Sequence, residues 1–214
     1  MNRQVLEVYL RELGTQSLMG FLAINALNNL TAVPIEKIRR FSPDDRVAFN
    51  AEHFRLVHSL LTHLSNISRI IWPPALSPKQ KCFCGKPKAN GLKCSTCVAR
   101  DRSSKMHIAL QLGDQNHVLK SRTLRDHLEH FDERIDHWVQ TSERMNYVQD
   151  FIGPKGAIAG VDDSDMMRQY DPAIAEFTFR GETYRLSDLS AGLKDIQDRA
   201  ASALSNSKEI AARF

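Results

Sequence analysis

The sequence predicts a mainly α protein: an up-and-down helical bundle interrupted by a cysteine-rich loop and closed by a small β-hairpin and a helix. Three observations lead there. Apolar residues recur at helical spacing over long stretches, all four cysteines crowd into residues 82–97, and EFTFRGETYRL (176–186) alternates around a glycine. At 214 residues, 42% hydrophobic and 25% charged, the chain can bury one substantial core with a small module attached. No apolar run approaches the roughly 18 to 20 residues that span a bilayer. The longest, SLMGFLAINAL (17–27), contains Gly20 and Asn25 and reads as a buried helix. The N-terminus carries Glu7 and Glu12 and lacks a basic-then-apolar signal pattern, so a cytoplasmic protein without a membrane partner is expected.

Residues 3–32 read as helix, with Val5, Leu6, Tyr9, Leu10 and Leu13 at helical spacing and Gly14 and Gly20 as weak points. SPDDRVAF opens a second helix: Ser42 caps it, Pro43 takes the first helical position, and Asp44 and Asp45 face the positive end of the helix dipole. Phe54, Val57, Leu61, Leu64, Ile67, Ser68 and Ile71 form its stripe, and Pro73–Pro74 stops it. Residues 43–72 would extend roughly 45 Å, a length usual in bundles. A short helix is predicted from Ser104 to about Leu112, ending at Gly113, and a long one over 121–147 with Leu124, Leu128, Phe131, Ile135 and Trp138 on its apolar face.

Residues 1–147 form the predicted bundle domain, interrupted by the loop at 75–102. Residues 148–214 supply a linker, the hairpin and a final helix over 187–204 with Ser187 as cap. The glycine-containing stretch 148–174 reads as irregular. Its GPKGAIAG lacks the Gly-Lys-Ser/Thr of a phosphate loop, and Asp162, Asp163 and Asp165 lack the glycine and closing glutamate of a calcium loop.

In CFCGKPKANGLKCSTC, Cys82, Cys84, Cys94 and Cys97 make a C-x-C pair and a C-x-x-C pair joined by a short Gly- and Pro-containing link. Two close thiol pairs chelating from opposite sides suit tetrahedral Zn²⁺, and four thiolates leave no open position for water, so the zinc is structural. Two disulfides compete but fit poorly with a cytoplasmic chain. Lys79, Lys81, Lys86, Lys88, Lys93, Arg100, Arg102 and Lys105 face only Asp101 across 79–105, a local +7 within a chain of net charge +4. Zinc with four thiolates would reduce this by about 2. An RNA-binding loop or a solubilising surface both fit this charge; the zinc loop would otherwise brace the bundle or a partner.

LRDHLEHF (124–131) concentrates polar chemistry on the predicted long helix. Asp126 and His130 are four apart and share a face, Arg125 flanks it, and Leu124, Leu128 and Phe131 anchor it. Histidine exchanges protons near neutral pH, arginine holds phosphate in a fork, and RNA carries its own 2′-hydroxyl nucleophile. By spacing alone a solvated helix edge is the favoured reading of these residues.

Arg125-Asp126-His127-Leu128-Glu129-His130 resembles the R-polar-x-x-x-H motif of the HEPN superfamily, whose helical bundles carry it on a late long helix. The resemblance covers about residues 1–147 and does not extend to the cysteine loop or hairpin. It implies a metal-independent endoribonuclease of a toxin–antitoxin or anti-phage defence system, with a possible neutralising antitoxin as partner. It further implies a homodimer in which two motifs face one composite site, with Arg125 and His130 as the catalytic pair and Asp126 in support. His127 is not a motif position. A zinc-containing nucleic-acid-binding or scaffold protein without catalysis is the alternative. A histidine–metal bundle built on His53, His58 and His63, with His127, His130 or His137 as further ligands, is less favoured, since the first three read as surface or partly buried groups and their helix has no H-x-x-x-H or E-x-x-H pair. Glu133 and His137, four apart, are expected to pair at the surface.

Overall fold

The computed structural model describes residues 1–73, 94–113, 116–121, 123 and 130–214. The chain is mainly helical, with a small four-stranded sheet in its C-terminal part. Helix α1 (Arg3–Thr31) is unbroken. Leu6, Leu10, Leu13, Ser17, Ala23 and Leu27 are buried at intervals of three, four and six, while Val5, read into the stripe from spacing, is exposed. Gly14 does not interrupt the helix, and a Cβ there would meet open space. After a short α2 (Ile35–Ile38), α3 runs from Pro43 to Ile71 as predicted. Its start is closed by reciprocal bonds: Asp45 N–H donates to Ser42 Oγ at 3.1 Å, and Ser42 N–H donates to Asp45 at 3.3 Å. Every member of its predicted apolar stripe is buried.

Helix α4 (Ser95–Ala109) begins well before the predicted Ser104. Ser, Thr, Cys and Arg fill its first turns without apolar periodicity, and within it only Met106 and Ala109 are buried, so spacing gave no signal there. Within the predicted long helix over 121–147, α5 spans Phe131–Thr141. His130 precedes it at φ −115° and ψ 42°, outside helical geometry, and Ser142 leaves in extended conformation. Residues 124–129 lie outside the described residues.

The stretch read as irregular holds two strands. β1 (Val148–Ile152) pairs parallel with β2 (Met166–Asp171), and antiparallel β3 (Glu176–Phe179) and β4 (Glu182–Arg185) complete the order β1-β2-β3-β4. The β3–β4 hairpin is the predicted one. Arg180 (φ 47°) and Gly181 (φ 82°) form its two-residue turn, both in the left-handed region that matches strand twist. Helix α6 (Leu186–Ser205) and a short α7 (Ser207–Ala211) end the chain. Ser187, expected as a cap, lies inside α6, and its hydroxyl donates to Asp188 instead.

The residues divide into two compact units. One comprises Met1–Leu18, Leu64–Lys120 and Gly192–Phe214. There Asn66 donates to Gln16 at 3.2 Å, Ser207 Oγ donates to Glu7 at 2.9 Å, and Arg199 donates to the carbonyls of Leu110 and Gln111 beyond the end of α4. Trp72 stacks on His117 with centroids 5.2 Å apart. Gly192 is required by packing, because a Cβ would lie 2.4 Å from Val118 Cγ1.

The other unit comprises Met19–His63 and Ser121–Ala191. Tyr170, Phe177 and Phe179 are buried in it. The Arg168 guanidinium lies over the ring of Phe54 (5.5 Å) and over that of Phe131 (5.6 Å) and pairs with Asp150 at 2.6 Å. A charge can be half-buried there because two π-faces and a carboxylate replace its water.

Candidate functional site

Of the predicted catalytic set, Arg125 and Asp126 lie outside the described residues, as does His127. His130 stands at the head of α5 with its side chain 50% exposed, and its Nδ1 lies 3.2 Å from Glu133 Oε1. Because α5 starts at Phe131, Glu133 falls in its first turn and reaches back to His130. The expected Glu133–His137 pair does not form: His137 Nδ1 instead faces the Arg180 guanidinium at 3.2 Å.

Of the predicted zinc ligands, Cys82 and Cys84 lie outside the described residues. Cys94 and Cys97 are half-buried at the start of α4. Cys94 is the N-cap residue, and its Sγ accepts the Cys97 N–H at 3.4 Å. Two thiols three residues apart at a helix start have the donor type and spacing of one half of a tetrahedral sulfur site. Among the described residues no group of three or more His, Cys, Asp or Glu is placed to hold a metal.

Lys79, Lys81, Lys86, Lys88 and Lys93 of the predicted RNA-binding loop lie outside the described residues. Arg100 is exposed on α4. Arg102 is engaged inside its own unit: Nε donates to Ile70 O and Nη2 to Arg69 O, both at 3.0 Å, and the guanidinium lies 5.6 Å from the Tyr9 ring centroid. With Ser103 Oγ donating to Ile71 O at 2.7 Å, these bonds satisfy the orphan carbonyls at the end of α3. Lys105 pairs with Asp101 at 2.8 Å. Sequence counting treated these cations alike; their neighbours separate them.

His53 and His58 of α3 are packing groups. His53 is buried, its Nδ1 is 2.9 Å from Phe49 O, and burial lowers its pKa. His58 lies edge-on to Phe131 (6.4 Å) and Phe177 (6.3 Å). Burial, with the Arg168 charge second, pulls its pKa down to about 4. Burial also lowers the pKa of half-buried His63. The acidic patch is structural too. Buried Asp165 takes the Ser142 hydroxyl at 2.5 Å, and that bond and surrounding backbone N–H groups lower its pKa.

Sequence reasoning missed one gathering of cations. Arg180 of the hairpin turn donates to Thr141 Oγ1 at 2.9 Å and to Ser164 O at 3.2 Å, besides facing His137. Arg134 of α5 carries a buried Nε with no hydrogen-bond partner. The available signal was an arginine, rather than Asn or Asp, before the turn glycine. Comparison of the chain with family models, curated proteins and solved structures finds no match.

Proposed function

We propose that the chain is a HEPN-like, metal-independent endoribonuclease built on an up-and-down helical bundle, acting in the cytoplasm as a toxin or defence effector. The observation that supports this best is the R-polar-x-x-x-H pattern ending at His130, a half-exposed imidazole steadied by Glu133. In this reading two copies of Arg125, Asp126 and His130 meet across a homodimer. Val8, Leu18 and Leu22, large apolar side chains exposed on α1, are consistent with a partner copy.

The RNA 2′-hydroxyl gives up its proton to a His130 imidazole and attacks phosphorus. The P–O5′ bond breaks, and the departing 5′-oxygen takes a proton from the second imidazole, leaving a 2′,3′-cyclic phosphate and a 5′-hydroxyl. Arg125 would neutralise the charge gathering on the phosphoryl oxygens, and Asp126 would orient the imidazole. Cys82, Cys84, Cys94 and Cys97 would hold one structural Zn²⁺ that folds the basic loop, presenting Lys79, Lys81, Lys86, Lys88, Lys93 and Arg100 to RNA. An antitoxin would silence the site by covering it.

A second reading has its own support. His130 departs from helical geometry just before α5, and a zinc-containing nucleic-acid-binding or scaffold protein does not need a regular helix through that position. Growth arrest and RNA cleavage by wild type and His130→Ala, with cleavage measured in EDTA, separate the two. Loss of both in the variant supports catalysis; cleavage unchanged in the variant overturns it.

A further inference from the structure

We infer that Arg134 and Arg180, with His137 and Thr141, form a binding site for a phosphate group; its supply by single-stranded RNA rests on the ribonuclease reading above, and free phosphate is the other source. His130, Arg134, His137 and Thr141 are spaced four, three and four apart and share one face of α5 and its head. The hairpin turn brings Arg180 to that face. Its three side-chain bonds go to neutral groups: Thr141 Oγ1, Ser164 O and His137 Nδ1. They hold the guanidinium in place without cancelling its charge, and a guanidinium has five N–H groups, so two remain. Because His137 Nδ1 accepts, its proton sits on Nε2, which becomes a further donor.

Neither arginine has a carboxylate within ion-pair distance among the described residues. Half-buried Arg134 leaves Nε without a partner, and Ser164 Oγ beside the Arg180 contact is likewise buried and unpartnered. Burial lowers the pKa of Arg180, and the charge acting on it is that of another cation, Arg134. The nearby Glu182 carboxylate takes the Tyr184 hydroxyl at 3.0 Å. Half-buried guanidinium charges without a carboxylate partner are unfavourable unless an anion joins them. Arg180 also occupies the left-handed region at φ 47°, where Asn or Gly is the ordinary choice, so the turn retains backbone strain to keep an arginine there. A guanidinium holds a phosphate in a bidentate fork, and a second arginine can meet the remaining phosphate oxygens.

Melting of the full chain in sodium phosphate, compared with sodium chloride at equal ionic strength, reads the site. Phosphate is expected to raise the wild-type melting temperature, and Arg180→Asn and Arg134→Gln each to remove that increment. Asn accepts the turn conformation, so Arg180→Asn keeps the hairpin. An increment that is equal in wild type and both variants, or missing from wild type, overturns the site. Binding of a labelled single-stranded RNA is then measured in a His130→Ala background, where cleavage is silenced. About tenfold weaker binding on adding Arg180→Asn, with a salt slope lower by about 1, assigns the site to RNA. Unchanged RNA affinity with a lost phosphate increment assigns it to free phosphate. Cleavage by the wild type against His130→Ala reports on the ribonuclease separately, so either idea can fail alone.

Discussion

Helices α4 and α5 both start at a residue singled out for chemistry, and they start differently. At α4 the Cys94 sulfur takes a backbone N–H of the first turn, and Arg102 and Ser103 tie the helix to the last carbonyls of α3. At α5 His130 gives no side-chain cap; its imidazole meets an exposed glutamate, and Arg134, one turn on, keeps an unpartnered Nε. One helix is tied to its neighbour through its own side chains, and the head of the other leaves a donor and a half-exposed imidazole. Charge counting drew attention to the first; unsatisfied chemistry is concentrated at the second.

The largest test of this contrast is catalytic. His130→Ala is expected to reduce RNA cleavage by about a hundredfold or more while circular dichroism is unchanged; equal cleavage removes chemistry from the α5 head. Next comes the metal. Elemental analysis of protein purified reduced should find one zinc per chain, and Cys97→Ser should lose it together with several kcal/mol of stability, on the order expected for a structural site. Metal-free wild type of full stability would leave Cys94 as a helix cap alone.

Acid should loosen the α5 side. His58 is neutral in the fold, with its pKa near 4, whereas the unfolded chain takes up that proton at about 6.5. Its contribution is therefore complete above about pH 6.5 and lost as pH falls toward 4, up to about 3 kcal/mol. Denaturation of wild type and His58→Phe across this range measures it; equal pH dependence refutes the assignment. The smallest effects divide the arginines. Arg102→Met should cost about 1 to 2 kcal/mol by orphaning the α3 carbonyls. Arg134→Met should cost less or stabilise, because it removes an unpaired half-buried charge. The reverse order of melting temperatures would break the comparison.

Legibility followed locality. Ser42-Pro43-Asp44-Asp45 specified the start of α3 because a cap and the groups it satisfies are neighbours in the chain. Arg180–Gly181 between alternating segments specified a hairpin for the same reason. The β1–β2 pair escaped notice because its partners are parallel, separated by residues 153–165, and because Met166, Met167, Gln169 and Tyr170 are all buried, so β2 shows no alternation. The head of α4 escaped because tertiary anchors, not apolar periodicity, hold it.

Spacing along a few turns is enough to write helices α1 and α3, the hairpin, the crowding of cysteines and the concentration of polar groups near His130. The tertiary structure decided which polar groups are already satisfied. Arg102 met carbonyls, His58 met two phenyl rings, and Arg180 met only neutral groups beside another arginine. Hydrogen bonding and desolvation depend on neighbours distant in sequence, so the difference between a structural cation and one poised for an anion arises only on folding.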